Sequence, residues 1–334
     1  MKQVWVISDK KAGHYNQSLA VAHTIKTLLP SEVTVVEVKV KKYAKYLLRM
    51  LLNTRLGRSL IASKMHPGMI AWFYEGALPS GKPDVVVSSG KDTSMLTALL
   101  GLMYGAKSLF IGNPKKLDHR LFSAVLTVLD LGFENQVLLD VAPTLPYEGD
   151  LEAFCKAHHL DPNATYYTLL IGGDGAGYRY SDAEYEALID CVNSAPKGVS
   201  WLVTTSRRTP LAMEKRMQEQ MRTAMFVAYN QAPQKVMGPF LALGDKVFVT
   251  EESASMVSEA VASGKPVVTL RPSVCEREED YARILKKFQE SRAIYSQEIA
   301  CCNTKEIDTQ RLEQKDFSEV LKQKLGMILT EENG

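Results

Sequence analysis

Ser253, Ser255 and Glu259 are the residues of this chain best placed to do chemistry. The two hydroxyls flank the opening of a short helical stretch whose apolar face is Met256, Val257, Ala260 and Val261, and which Gly264 and Pro266 end. A helix opening leaves backbone N–H groups unpaired and carries the positive end of the helix dipole. Phosphate is favoured there by up to ~2 kcal/mol per charge. Glu259 follows Ser255 by four residues, one turn and about 6 Å along the same face. A capping box would need the acid three residues on, so capping does not account for it. The spacing fits one ligand with a diphosphate on the turn, beside Glu252, and a ribose on the Glu259 carboxylate. A plain helix with a solvated glutamate is the alternative.

Other reactive residues also fall just after apolar runs. Gly172 and Gly173 begin a glycine-rich loop, GGDGAG, which lets backbone approach a ligand closely. Its spacing is neither the dinucleotide fingerprint nor a P-loop. Ser206, Arg207 and Arg208 follow the next run, and a guanidinium there can donate two parallel bonds to phosphate. Simple pairing with Glu214 is the other account of the arginines. In the first half, Asp9, Lys10, Gly13, His14 and Gln17 crowd one turn. An imidazole such as that of His14 suits a general base, worth ~10²–10⁴ in rate, with Asp9 the second candidate. Ser89, Gly90 and Lys91 form a second such turn, and Asn113 ends another strand, where turn chemistry alone is enough to explain it.

These residues must be held by elements, and the elements are legible. Runs at 4–8, 34–38, 84–88, 108–112 and 124–129 alternate with helical stretches, and a second series follows at 166–173, 201–206, 225–229, 246–250 and 266–270. That is an α/β pattern of two Rossmann-like, doubly wound parallel sheets facing a cleft, and 334 residues exceed what one core usually serves. The expected domains are 1–145, which carries the acid–base candidates, and 160–305, which carries the phosphate-friendly turns. A proline-rich linker lies near 143–163, and a polar helical tail follows over 306–334. In such sheets ligands sit beyond the carboxyl ends of strands, where the reactive residues fall.

Composition narrows the classes. Forty basic and 38 acidic residues nearly cancel, so no nucleic-acid partner is expected. The five cysteines have no metal spacing and fit a reducing compartment, no metal or cofactor is expected, and no apolar run reaches the 18 residues of a spanning helix. The expected location is cytoplasmic. One segment is one-sided: residues 38–74 hold eight Lys or Arg residues and no acid. Lys42, Lys45 and Arg49 form one helical stripe, and Tyr43, Tyr46, Leu47, Met50 and Leu51 another. Either the apolar stripe packs on the first sheet, or the helix docks peripherally on an anionic membrane.

DKKAGHYNQ, SSGKDT, TTSRRTP and VTEESASMVSEAVASGKPV together resemble the family named for the plant "elongated mitochondria" fission protein, over nearly the whole chain. That family is similar in layout to GT-B glycosyltransferases. The resemblance implies Ser253, Ser255 and Met256 at a diphosphate and Glu259 at a ribose. The expectation is therefore a metal-independent glycosyltransferase that moves a sugar from a nucleotide sugar to a glycolipid or polysaccharide acceptor, such as lipopolysaccharide. A non-catalytic adaptor that recruits a protein partner, as in organelle fission, is the competing class. A nucleotide-sugar epimerase is a weaker third, because the dinucleotide fingerprint it would use is missing.

Overall fold

The computed structural model describes residues 1–302, 312 and 316–330. The chain forms two compact units, Met1–Leu145 with Phe317–Gly334, and Pro146–Asp316.

In the first unit the elements are β1 (Lys2–Ser8), α1 (Ala12–Leu28), β2 (Ser31–Glu37), β3 (Lys39–Val40), α2 (Ala44–Asn53), α3 (Arg55–Lys64), α4 (Pro67–Phe73), β4 (Tyr74–Glu75), β5 (Val85–Ser89), α5 (Lys91–Tyr104), β6 (Lys107–Ile111), β7 (Ala124–Thr127) and β8 (Gln136–Leu138). The sheet order is β2-β1-β5-β6-β7-β8, all parallel. Both faces are covered, which is why β1 is apolar at consecutive positions: Val4 and Val6 enter one cluster, and Trp5 and Ile7 enter the other.

The second unit contains α6 (Leu151–His158), β9 (Thr165–Leu170), β10 (Tyr178–Arg179), α7 (Asp182–Asn193), β11 (Val199–Thr204), α8 (Leu211–Gln220), β12 (Met225–Val227), α9 (Met237–Leu243), β13 (Gly244–Thr250), α10 (Ala254–Ala262), β14 (Val267–Arg271), β15 (Val274–Cys275), α11 (Glu279–Glu290) and β16 (Ile294–Glu298). Its sheet runs β12-β11-β9-β13-β14-β16, again parallel. In each sheet the chain first builds outward on one side of its opening strand and then crosses to the other. The order therefore reverses between β1 and β5, and between β9 and β13. Such reversals part the crossover connections and leave a crevice at the strand ends.

Three elements differ from the sequence reading. The stretch read as linker holds α6, whose Phe154 lies edge-on to Phe240 and whose Cys155 is buried. Cys191 and Cys302 form a disulfide across 111 residues, where unpaired thiols were expected, because α7 packs on the short 3-10 turn Ile299–Cys301. Of the expected tail, residues 306–311, 313–315 and 331–334 lie outside the described residues. The rest includes α12 (Phe317–Thr330), which buries Leu321 and Leu325 in the first unit's core beside α1. Lys107 Nζ donates to the Ile328 carbonyl at 2.6 Å and helps fasten the end of this helix. Among the described residues no helix is long and apolar enough to cross a membrane.

Candidate functional site

Three apolar residues, Val247, Phe248 and Val249, and the buried Thr250 carry β13 to the reversal point of the second sheet, and the chain turns at Ser253 into α10. Ser253 is the N-cap, but its hydroxyl does not cap the helix; it lies 3.3 Å from the Ser255 hydroxyl instead. No acid occupies the first turn. The opening of α10 thus presents two hydroxyls and unpaired amides with no built-in counter-charge. One turn on, the half-buried Glu259 carboxylate meets no hydrogen-bond or ionic partner among the described residues. Burial alone pushes its pKa up to about 7. A carboxylate left unpartnered in a desolvated position is ready to accept hydroxyl donors.

The neighbouring strand end is organised differently from the sequence reading. Gly172 was expected to admit a ligand. A Cβ there would fall 1.4 Å from Glu252 Oε1, and one on Gly173 would fall 2.2 Å from the Arg208 carbonyl, so the protein itself fills both spaces. Glu252 is buried, accepts from the Tyr180 hydroxyl at 2.5 Å and pairs with Arg208 Nη2 at 3.1 Å. Burial holds its carboxyl above the ordinary range, although Tyr180 and Arg208 pull it down. Arg208 is therefore tied to Glu252 and not to Glu214, which is itself buried against the Thr205 hydroxyl at 2.5 Å. Only Arg207 of the two arginines is exposed, and it has no ionic partner among the described residues.

The glycine-rich loop is pinned, not open. Gly175 and Tyr178 exchange backbone hydrogen bonds at 3.1 and 2.9 Å, and β10 pairs with β15. Gly177, at φ +83°, leaves no room for a Cβ against the Glu276 carbonyl. Beneath it lies a network the sequence did not single out. Buried Glu251 pairs with Arg277 Nη2 at 2.5 Å and accepts from the Tyr178 and Ser296 hydroxyls, while Tyr281 donates to its carbonyl. The one legible sign was an acid doublet, Glu251-Glu252, directly after an apolar strand. Acids at such a position require buried partners.

At the reversal point of the first sheet, β1 ends at Ser8 and Asp9 turns back over the start of α1. The Asp9 carboxylate accepts the Lys11 amide at 3.2 Å, and its side chain is nearly buried. His14, in the first turn of α1, places Nδ1 3.0 and 3.2 Å from the two Asp9 oxygens, and Lys11 Nζ lies 3.1 Å away. Burial opposes ionisation of Asp9, but the bonds from His14 and Lys11 outweigh it and hold the pKa below the ordinary value. An ionised carboxylate only accepts, so Nδ1 carries the proton and Nε2 is left as the basic nitrogen. The two candidates for the base thus form one hydrogen-bonded pair, in which Asp9 fixes the orientation of the His14 ring.

Gly90, at φ +93°, makes room for this ring: a Cβ would stand 2.3 Å from His14 Nδ1. Ser89 donates to Gln17 Oε1 at 2.9 Å, which ties β5 to α1. Asp9, His14, Gln17, Ser89 and Gly90 are therefore brought together, with Gly13 in the same first turn of α1 and Lys91 opening α5 on the exposed side. Two expected members are occupied elsewhere. Lys10 pairs with Glu37 at 2.8 Å, and Asn113 accepts the Lys115 amide in a local turn.

The basic helix also differs. Ala44, Leu48 and Leu52 of α2 pack inward, so the apolar stripe read from the sequence mostly lies outside: Tyr43, Tyr46, Leu47 and Met50 are exposed, and Leu51 is half-buried. Lys45 pairs with Asp92 at 2.7 Å, which leaves Lys42 and Arg49 of the cationic stripe unpaired among the described residues.

Comparison with known proteins places this geometry. Residues 12–317 match the family described as Mitochondrial fission ELM1. The chain belongs to that family. This ELM1-family chain also resembles solved structures at the level of fold. A Listeria monocytogenes protein described as a UDP-N-acetylglucosamine 2-epimerase superposes with a TM-score of 0.55 at 12% identity, over 97% of this chain and 91% of that one. The UDP co-structure of S. aureus MnaA gives 0.52 at 12%, over 95% and 91%. The glycosyltransferase SsfS6 of Streptomyces sp. SF2575, complexed with thymidine diphosphate, gives 0.50 at 11%, over 97% and 100%. The architecture is that of GT-B glycosyltransferases. No curated protein matches the sequence significantly.

Proposed function

We propose that this ELM1-family chain is a glycosyltransferase that takes a sugar from a nucleoside-diphosphate donor and passes it to a glycolipid or polysaccharide hydroxyl. The observation that carries the reading is Glu259, an unpartnered and half-buried carboxylate one turn inside an uncapped helix opening at the reversal point of the second sheet. In this reading the diphosphate lies on the Ser253, Ser255 and Met256 end of α10, the ribose hydroxyls donate to Glu259, and exposed Arg207 adds charge-assisted contact. The helix end neutralises the leaving diphosphate as the glycosidic bond to it breaks. His14 Nε2 takes the proton of the attacking hydroxyl, and Asp9 stabilises the imidazolium that forms. Nucleotides bound to fold neighbours at these low identities support the donor class in general terms only.

Isothermal titration with UDP, GDP, ADP and TDP tests the donor site. One of them should bind, and Glu259→Ala should weaken it by roughly 1.5–3 kcal/mol, the range for hydrogen bonds to charged groups. If none binds, or if the variant binds like wild type, the donor site is refuted. The family's association with mitochondrial fission would then favour the second reading, an adaptor that keeps the fold and recruits a protein.

A further inference from the structure

We propose that the outer face of α2, α3 and the end of α4 is a docking face for an anionic lipid bilayer. The inference does not depend on the transfer reading, because none of its residues belongs to either strand-end site.

Seven of the seventeen large apolar side chains exposed among the described residues fall between positions 43 and 72. Tyr46 is 78% exposed, Leu56 74%, Trp72 62% and Met50 59%, with Tyr43, Leu47 and Leu60 beside them in sequence. The fold offers no reason for this in its own packing. Each helix already buries another stripe: Leu48 and Leu52 from α2, Ile61 from α3, and Ile70 and Phe73 from α4. The three helices are held as one surface. The Tyr43 hydroxyl donates to the Trp72 carbonyl at 2.5 Å and Lys41 to the Ala71 carbonyl at 2.7 Å, while Arg58 Nε donates to the Leu52 carbonyl at 2.7 Å. Gly57 sits so close to the Leu51 carbonyl that a Cβ would be 2.2 Å away.

Charge selects the occupant. Of the eight cations in this acid-free stretch, Lys39, Lys45 and Arg58 are paired with Glu75, Asp92 and Asp118, and Lys41 is spent on a backbone carbonyl. Lys42, Arg49, Arg55 and Lys64 have no ionic partner among the described residues. A second copy of the chain pairing through this face would set the same cations against one another. An anionic bilayer meets both requirements: aliphatic side chains enter the hydrocarbon border, aromatic rings with polar ends sit at the headgroups, and the cations face the lipid phosphates.

Co-sedimentation with vesicles of phosphatidylcholine alone, and with phosphatidylglycerol mixed in, tests the face. Each unpaired cation near an anionic surface is worth about fivefold in partition, so the four together give on the order of several hundredfold at low salt. That preference should shrink as salt shortens the Debye length from ~10 Å at 0.1 M to ~3 Å at 1 M. Changing Lys42→Gln, Arg49→Gln, Arg55→Gln and Lys64→Gln together should abolish the preference for anionic vesicles. Changing Tyr46→Ser, Met50→Ser and Leu56→Ser together should lower binding to anionic vesicles at every salt concentration. All seven side chains are exposed or half-buried, and circular dichroism melts of both variants confirm that they fold. Equal binding of wild type to neutral and anionic vesicles, or wild-type binding by the four-cation variant, overturns the proposal. So does a dimer in light scattering that the apolar variant dissociates, since the face would then be a self-interface. Nucleotide titration on the same preparations without lipid keeps this outcome separate from that of the donor site.

Discussion

Glu259 should make the empty protein less stable, and the cost should depend on pH. Its carboxyl is lifted from 4.5 to about 7 by burial with no compensating partner. Between those values the folded state holds a proton that the unfolded chain has released, so stability falls as pH rises through this window and stays lower above it. At ~1.36 kcal/mol for each pKa unit, the loss is about 3 kcal/mol at most, because part of the side chain still reaches solvent. Glu259→Gln keeps the shape and removes the titration. Above about pH 7 the variant should therefore be the more stable protein, and near pH 4.5 the two should be equal. For a unit of 171 residues, counting from Pro146 to Asp316, ~2–4 °C per kcal/mol gives a gain of up to roughly 6–12 °C. Differential scanning calorimetry of both proteins across this pH range measures it. Nucleotide should largely cancel the difference, since ligand at ~100 times its Kd adds ~2.7 kcal/mol to the protein that binds it. A midpoint difference that does not change with pH would refute the reasoning and return Glu259 to the status of a solvated surface acid.

The remaining predictions separate residues that look alike in sequence. His14→Ala should lower turnover by about 10²–10⁴ while donor affinity in titration stays as in wild type; unchanged turnover removes the Asp9–His14 pair from the mechanism. Gly90→Ala puts a Cβ into the His14 ring at a left-handed φ, and should cost about 1–2 kcal/mol in chemical denaturation and a large share of turnover with little change in donor affinity. Arg208→Ala strips buried Glu252 of its cation and should cost roughly 1–3 kcal/mol, discounted because the arginine is partly solvated. Arg207→Ala should leave the denaturation midpoint within ~0.5 kcal/mol of wild type and weaken nucleotide instead. Equal behaviour of the two arginine variants would contradict their assignment.

What the sequence discloses follows from what is local. The strand at 246–250 and the helix after it are legible because an apolar run, a hydroxyl turn and a Gly-Lys-Pro stop sit next to one another. The position of Glu259 on the Ser255 face follows from helical spacing alone. The reversals between β1 and β5 and between β9 and β13 depend on which strands pair, and no local pattern encodes that. The edge strands β8 and β16 escape notice because one is three residues long and the other, IYSQE, is mostly polar. Arg208 reads as a phosphate ligand until Glu252, 44 residues away, is seen to hold it. The outward turn of Tyr46 and Met50 is hidden for another reason: two apolar stripes run along α2, and only the contacts of Leu48 and Leu52 show which one faces the core.

The return of α12 to the first unit bears on how the protein is made. Leu321 and Leu325 complete the core beside α1, yet all 171 residues of the second unit lie between that core's earlier strands and this last helix. At ~5–20 residues per second, the ribosome delivers α12 roughly 10–30 s after Leu145. At the end of that interval the side of α1 that carries Val21 and Ile25 still lacks its final cover, while the second unit already has all of its described strands. The later half of the chain can thus mature first, leaving the earlier half as the part a nascent-chain chaperone would have to shield.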